Sequence, residues 1–338
     1  MLRDALTVSA LIAVVLLVRV GAIRVQQGIL TQGLVIALYN YMSQILIELI
    51  KMANLIVTIA KAVACGNRIS AVLKLESDQE NGTDEGKLSG SVEFRDVSAA
   101  YAGASSPSLE HISFRAEPGQ CIGIIGGTGS GKTTLVNLIP RLYDASEGQV
   151  LLDGRDLRQW PMEELRAQVG MVPQKALLFS GTIRDNLRWG SENATDEELW
   201  QALETAQAAD FVREKPGQLD EMLEQGGKNL SGGQRQRLTI ARALVRRPRV
   251  LVLDDSASAL DFATDAALRK ALHRLPGAPT VFLVSQRAAS LRHADQILVL
   301  DEGKAVGLGT HAQLMENCPV YQEIYESQFK AEDEKGVG

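Results

Sequence analysis

The sequence predicts an α/β domain with a largely parallel core sheet, preceded by an all-helical apolar segment. Three observations predict it. Residues 5–60 hold few ionisable groups while the rest of the chain is rich in them. From Gly90 onward short apolar runs alternate with longer helical stretches, the order of βα units. One of those runs leads straight into a glycine-rich loop.

Composition sets the outer bounds. The 338 residues are 45% apolar and 22% charged, ordinary values that permit one or two domains with a sizeable core. A net charge of −6 gives no reason to expect nucleic acid as a partner. Cys65, Cys121 and Cys318 are far apart and lack metal-type spacing, which suits a reducing compartment and a soluble part that faces the cytosol.

Leu6–Ile23 is apolar apart from Thr7, Ser9 and Arg19, about the ~20 residues that cross a bilayer. It is followed by a turn at Gln26-Gln27-Gly28 and by a second apolar stretch from Ile29 to about Ala64. No small-residue cleavage site precedes a soluble domain, so the first stretch is not read as a signal peptide. Helices are expected over about 5–24 and 29–64, within a partial transmembrane region 1–76. Glu48 and Lys51 lie three apart on one helix face, either as a buried functional pair or as two charges at an interface. Lys51, Lys61 and Arg68 suit an inside flank, whereas Arg19 and Arg24 near the turn run against that bias. A polar linker is expected at 77–89, a compact domain at 90–329 and a loose tail from 330.

Within the domain, Ser91–Val97, Cys121–Ile125, Gln149–Leu152, Val250–Leu253, Thr280–Val284 and Gln296–Leu300 read as strands. The run Cys121-Ile-Gly-Ile-Ile125 is followed by Gly126, Gly127, Thr128, Gly129, Ser130, Gly131, Lys132 and Thr133, then by a helical stretch from Thr134. This is the pattern GxxxxGK[ST] in its context of strand, loop and helix. Glycines let main-chain N–H groups converge on phosphate oxygens. Lys132 is placed to reach the terminal phosphates, and the Thr133 hydroxyl to ligate Mg²⁺. Val250–Leu253 is a continuous apolar run of the kind buried on both faces. It ends in Asp254 and Asp255, where ligands bind in open α/β sheets. Asp254 is the expected Mg²⁺ carboxylate; Asp255 either orients a water or caps the next helix.

Asn229-Leu230-Ser231-Gly232-Gly233-Gln234-Arg-Gln-Arg-Leu238, leading into Ile240-Ala-Arg-Ala-Leu244, resembles the signature sequence of ABC ATPases. The resemblance spans about Gly90 to Gln328. It implies a P-loop NTPase fold, an ABC ATPase cassette with a helical subdomain and an antiparallel β subdomain, preceded by all-α transmembrane helices. It implies ATP and Mg²⁺ as cofactors. It implies two cassettes facing head to tail, each signature closing over ATP on the other's loop. Tyr101 then matches the residue that stacks on adenine, although a core or surface tyrosine reads equally well. Gln174 matches the glutamine that contacts Mg²⁺ and the attacking water. Ser258-Ala-Leu-Asp261 resembles the loop crossing the dimer interface, and Glu224-Gln-Gly-Gly227 the exporter segment that touches cytosolic loops of the membrane domain. Residues 1–76 resemble the last two of the six membrane helices of a type I exporter half-transporter. Such a chain is expected to sit in the plasma membrane as a multi-pass protein with its cassette on the cytoplasmic side, and not to transport alone.

Two positions depart from the family, and both concern hydrolysis. Asp255 stands where a catalytic glutamate is usual, and Gln286 where a histidine usually meets the γ-phosphate. Glutamine donates a hydrogen bond but does not become cationic. The resulting expectation is an ATP-binding export subunit whose own site hydrolyses slowly, and whose signature completes the site of a different half-transporter. A homodimeric exporter, and a non-catalytic regulatory subunit, are the alternatives. A soluble ABC protein of DNA repair or translation is disfavoured by the apolar segment, and an importer cassette by its fusion to that segment.

Overall fold

The computed structural model describes residues 2–75, 79, 81–83, 88–101, 103–256, 259–275 and 277–335, with side chains described between 12 and 328 except Phe262. The chain divides into two compact units, Met1–Asp78 and Gln79–Gly338.

The first unit is a helical hairpin. α1 (Leu2–Gln26) and α2 (Gln32–Leu73) are joined by a turn in which Gly28 takes φ 72°. Gly21 is the close approach, since a Cβ there would lie 2.7 Å from Val35 Cγ1. Among the described residues the hairpin builds no apolar core: α2 has no buried residue, and apolar side chains such as Leu16 and Ile56 stand more than half exposed. Lys51 donates to Glu48 at 2.8 Å on the exposed surface, so the pair is not buried in this unit. Among the described residues no helix is both long and apolar enough to cross a membrane. In α2 the apolar run is interrupted by Glu48, Lys51, Lys61 and Arg68, and the side chains of residues 1–11 lie outside the described part of α1.

The second unit opens on β1 (Val92–Ala99) and β2 (Leu109–Ala116). The chain enters β1 through a fixed knot, in which the Asp153 carboxylate accepts from the main-chain N–H groups of Ser89, Gly90 and Ser91. β3 (Cys121–Gly126) follows, then α3 (Lys132–Leu138), β4 (Glu147–Leu152) and β5 (Arg155–Asp156). α4 (Met162–Gln168) leads into β6 (Val169–Val172). A helical region then runs through β7 (Gly181–Thr182), α5 (Ile183–Arg188), α6 (Asp196–Thr205), α7 (Ala209–Arg213), β8 (Met222–Leu223) and α8 (Gly232–Val245). The return to the core uses β9 (Val250–Asp254), α9 (Phe262–His273), β10 (Thr280–Val284), α10 (Ala288–Leu291), β11 (Gln296–Asp301) and β12 (Lys304–Gly309). α11 (His311–Asn317) and α12 (Pro319–Lys335) close the chain. α12 runs as far as Lys335, through Ala331-Glu-Asp-Glu-Lys335, which is mostly made of good helix formers.

The core sheet has the order β12-β11-β3-β10-β9-β6. Its pairs are parallel except for the antiparallel edge of β12 on β11. The largely parallel sheet is therefore as expected, with one correction. Ser91–Val97 and Gln149–Leu152 are not part of it; they pair in a separate antiparallel sheet, β2-β1-β4-β5. The reason is local: β1 and β2 are linked without a helix, and β2 alternates buried and exposed positions over most of its length, as a strand in a sheet with one wet face does. β3, β9 and β10 are buried at every position, which marks the middle of a sheet covered on both sides.

Candidate functional site

Ligand-binding groups collect where parallel strands end, and here β3, β9, β10 and β6 end side by side. β3 delivers the glycine-rich loop. A Cβ on Gly126 would lie 2.1 Å from the Leu300 carbonyl oxygen, so only glycine lets β3 turn there beside β11. Gly131 caps α3 with φ 95°, and a Cβ would meet Ser108 O at 2.6 Å. Between them Lys132 folds back, its Nζ donating to Gly126 O at 2.8 Å, Gly127 O at 2.6 Å and Ser130 Oγ at 3.3 Å. Burial pulls the Lys132 pKa down, and the nearby Asp255 and Asp254 oppose that pull. A cleft of about 760 Å³ opens beside the loop, lined in part by Lys132, Thr133, Thr134 and Ser108, within the ~300–1,000 Å³ usual for a small-molecule site. Tyr101 is anchored to the same helix, its OH 3.0 Å from Thr134 Oγ1, and Tyr143 packs edge-on to it at 5.1 Å.

β9 supplies the acidic side. Thr133 Oγ1 donates to Asp254 Oδ2 at 3.1 Å. Burial holds the Asp254 carboxyl above its usual range; the Thr133 bond counteracts this, Asp255 adds to it and Lys132 counteracts it. A hydroxyl beside a carboxylate is the hard-oxygen donor set that suits Mg²⁺ completed by phosphate oxygens and water. Asp255 follows in the left-handed region, φ 45°, with its N–H donating to Val284 O at 3.0 Å. Its carboxylate accepts from Gln174 Nε2 at 3.1 Å, two residues past the end of β6. Gln286 lies two residues past β10 with its side chain exposed.

The second cluster forms at the start of α8. Ser231 is its N-cap; Ser231 Oγ accepts from Gln234 N–H at 3.2 Å while Gln234 Oε1 accepts from Ser231 N–H at 3.0 Å. This reciprocal box fixes the turn. Leu230 is buried beneath it. Around Gly232 there is open space, and Gly233 faces Ala259 O, 3.1 Å from where a Cβ would sit. Asp261 caps α9, accepting from Thr264 N–H and Oγ1, both at 2.8 Å; Thr264's main-chain bond in particular keeps the carboxyl low. Ser258 lies outside the described residues.

Thus Lys132, Thr133, Gln174, Asp254 and Asp255 come together, with Tyr101 and Thr134 on one flank and Gln286 just past the end of the next strand. Leu230, Ser231, Gly232, Gly233, Gln234 and Asp261 form a separate group at two helix starts. Sequence reasoning missed Tyr143, and also Gln328, whose side chain binds the backbone at Gln286 and Ala288. No sequence signal ties residues so far apart.

A strand, a lysine-bearing glycine loop and a buried aspartate beyond a parallel strand define a P-loop nucleotide-binding domain, here with a second, serine-capped glycine turn. Residues 109–258 match the ABC transporter family, and the chain carries an ABC transporter ATP-binding cassette, homologous to those of ABC exporter half-transporters. It is 42% identical over 322 residues to the uncharacterized ABC transporter ATP-binding protein YfiB of Bacillus subtilis (strain 168), covering 95% of this chain and 56% of that one. It is 38% identical over 305 residues to the ATP-dependent lipid A-core flippase of Xanthomonas euvesicatoria pv. vesicatoria (strain 85-10), covering 90% and 52%. Among solved structures, a bacterial Atm1-family ABC exporter with ATP bound matches with a TM-score of 0.73 and 30% identity, over 90% of this chain and 54% of that one. The chain spans about half the length of the curated relatives it matches. Cassettes of this family bind ATP with Mg²⁺, and the donor set at Thr133 and Asp254 fits that ion.

Proposed function

We propose that this chain is the ATP-binding subunit of an ABC exporter, coupling ATP binding and hydrolysis between two cassettes to movement of a substrate across a membrane. The observation that carries the reading is the Lys132–Thr133–Asp254 cluster joined to the Gln174–Asp255 pair. Lys132 and the loop N–H groups hold phosphate oxygens; Thr133 and Asp254 hold Mg²⁺, which would offset phosphate charge when bound. Asp255 accepts a hydrogen bond and orients water, and Gln174 keeps it in place. Gln286 donates towards the terminal phosphate. Tyr101 offers a ring face to the base.

The same reading makes the chain's own site weakly hydrolytic, because Asp255 is one methylene short and Gln286 carries no charge. The capped Ser231 turn then completes the site on a second half-transporter, so a heterodimer is favoured over a homodimer. Asp261 lies near that interface, where its helix-capping bond with Thr264 fixes the loop. The exposed apolar faces of α1 and α2 support a place among other membrane helices in the plasma membrane, with the cassette on the cytoplasmic side. Similarity to a lipid A-core flippase makes an amphiphilic cargo the first to try.

The test is ATP hydrolysis by the full-length chain in detergent, alone and with a candidate partner half, with ATP binding followed in parallel. Tight binding with little turnover alone, and turnover restored by a partner, is the expected result. Brisk turnover alone, abolished by Asp255→Asn, would replace the heterodimer with a homodimeric exporter.

A further inference from the structure

The residue that follows β10 by two positions is held from a part of the chain that no nucleotide motif includes. Gln328 lies on α12. Its Nε2 donates to Gln286 O at 2.6 Å, and its Oε1 accepts from Ala288 N–H at 2.9 Å. A primary amide presents donor and acceptor side by side, as a peptide group does, so Gln328 docks on this segment as a neighbouring strand would. The other side of the segment is tied as well. Ser285 N–H donates to Ile124 O at 3.1 Å, and Arg287 N–H donates to Ser285 Oγ at 3.0 Å.

The support is itself anchored. Tyr321, one α12 residue, is fully buried in the core, and its OH lies 2.9 Å from His311 Nδ1. α12 also packs on α10 and β11. The segment 285–288 is therefore held to β3 through Ser285 and to a fixed helix through Gln286 and Ala288. The Gln286 side chain, exposed at the end of β10, takes its direction from that main chain.

We propose that Gln328 is a positioning residue for nucleotide recognition, setting through the backbone of residues 286–288 how Gln286 meets the terminal phosphate of ATP on this chain's own loop. It rests on the role proposed above for Gln286. α12 thereby becomes a regulatory handle: whatever moves it changes how well the site tells ATP from ADP.

The test uses the full-length chain in detergent and reads equilibrium affinity for Mg²⁺ with ADP and with the slowly hydrolysed thio analogue of ATP. Gln328→Ala lowers the preference for the triphosphate by about 3- to 10-fold, the range of one lost hydrogen bond, and leaves ADP affinity unchanged. In a Gln286→Ala background the same substitution has no further effect. Gln328→Glu keeps the acceptor for Ala288 N–H but turns an oxygen on the Gln286 carbonyl, so it fails to rescue. Gln328→Met, which keeps the bulk, replaces the alanine variant should that one not fold. An equal loss for both nucleotides, or an equal loss with and without Gln286, overturns the proposal as mere structural damage. If Gln286→Ala weakens the triphosphate while Gln328→Ala does nothing, the positioning role fails and the role of Gln286 stands. If Gln286→Ala itself leaves the preference intact, both fall.

Discussion

Gln174 donates its side-chain amide to the Asp255 carboxylate at 3.1 Å across 81 residues of chain. The two meet because β6 and β9 are parallel neighbours and each residue lies just past its strand end. Asp255 is thus doubly set, by left-handed backbone and by Gln174, yet it ends one carbon short of the family's usual glutamate. Asp255→Glu is expected to raise ATP turnover by roughly 10- to 100-fold, the scale of an ångström-sized misplacement. Phosphate release from the full-length chain checks it. An unchanged rate would mean that side-chain reach is not what limits this site.

Asp254 is a buried carboxylate whose acid form is favoured in the folded chain. A pKa raised above the ordinary 3.8 contributes stability below that value, and loses it as pH rises through the folded pKa. Asp254→Asn removes the titration but keeps a partner for the Thr133 hydroxyl. Without Mg²⁺ the variant is expected to melt higher than wild type at pH 7 and about equally near pH 4. Adding Mg²⁺ and ATP then reverses the order, because only the carboxylate gains from the ion. Calorimetry with and without chelator reads both arms.

The Ser231–Gln234 box fixes the turn ahead of α8. Ser231→Ala is expected to cost about 0.5–2 kcal/mol of cassette stability, measured by denaturant titration. Ser231→Thr keeps the acceptor oxygen and should recover most of that loss. If Ser231 also serves a partner's site, the alanine variant lowers turnover at that partner while leaving ATP binding to its own chain unchanged.

Asp153 holds the start of the second unit. Burial pushes its pKa up, but hydrogen bonds from Ser89, Ser91 and Gly90 outweigh it and keep the carboxyl below the usual 3.8. A depressed carboxyl contributes stability above the unfolded value and loses it as pH falls through the folded one. Asp153→Asn should therefore narrow the gap to wild type below pH 3.8 and destabilise at neutral pH by about 1–3 kcal/mol. Acid unfolding monitored by circular dichroism separates the two ranges.

The sheet's middle was readable because β3, β9 and β10 carry no polar side chain besides Asp254 at the end of β9 and Thr280 at the start of β10, so no polar face obscures the pattern. Both loops that carry the candidate site residues could therefore be placed from residues 121–134 and 250–255 alone. β2 was missed although Leu109, Ile112 and Phe114 are buried, because Glu110, His111, Ser113 and Arg115 between them keep the segment polar on average. β6 was missed because four residues directly after a helix carry too little signal, and β12 because Gly307 and Gly309 weaken any strand reading. Within the site, residue types were legible and pairings were not. Tyr101 with Thr134, Gln174 with Asp255 and Gln328 with Gln286 each join segments that only the topology brings together.

The knot at Asp153 also has a mechanical meaning. Any pull transmitted along the backbone from the preceding helices reaches residues 89–91 before it reaches β1. There it is met by three main-chain donors converging on one carboxylate. Stretched between its ends, the chain should thus lose its helical hairpin at low force and keep the cassette's first strand in register until that carboxylate lets go.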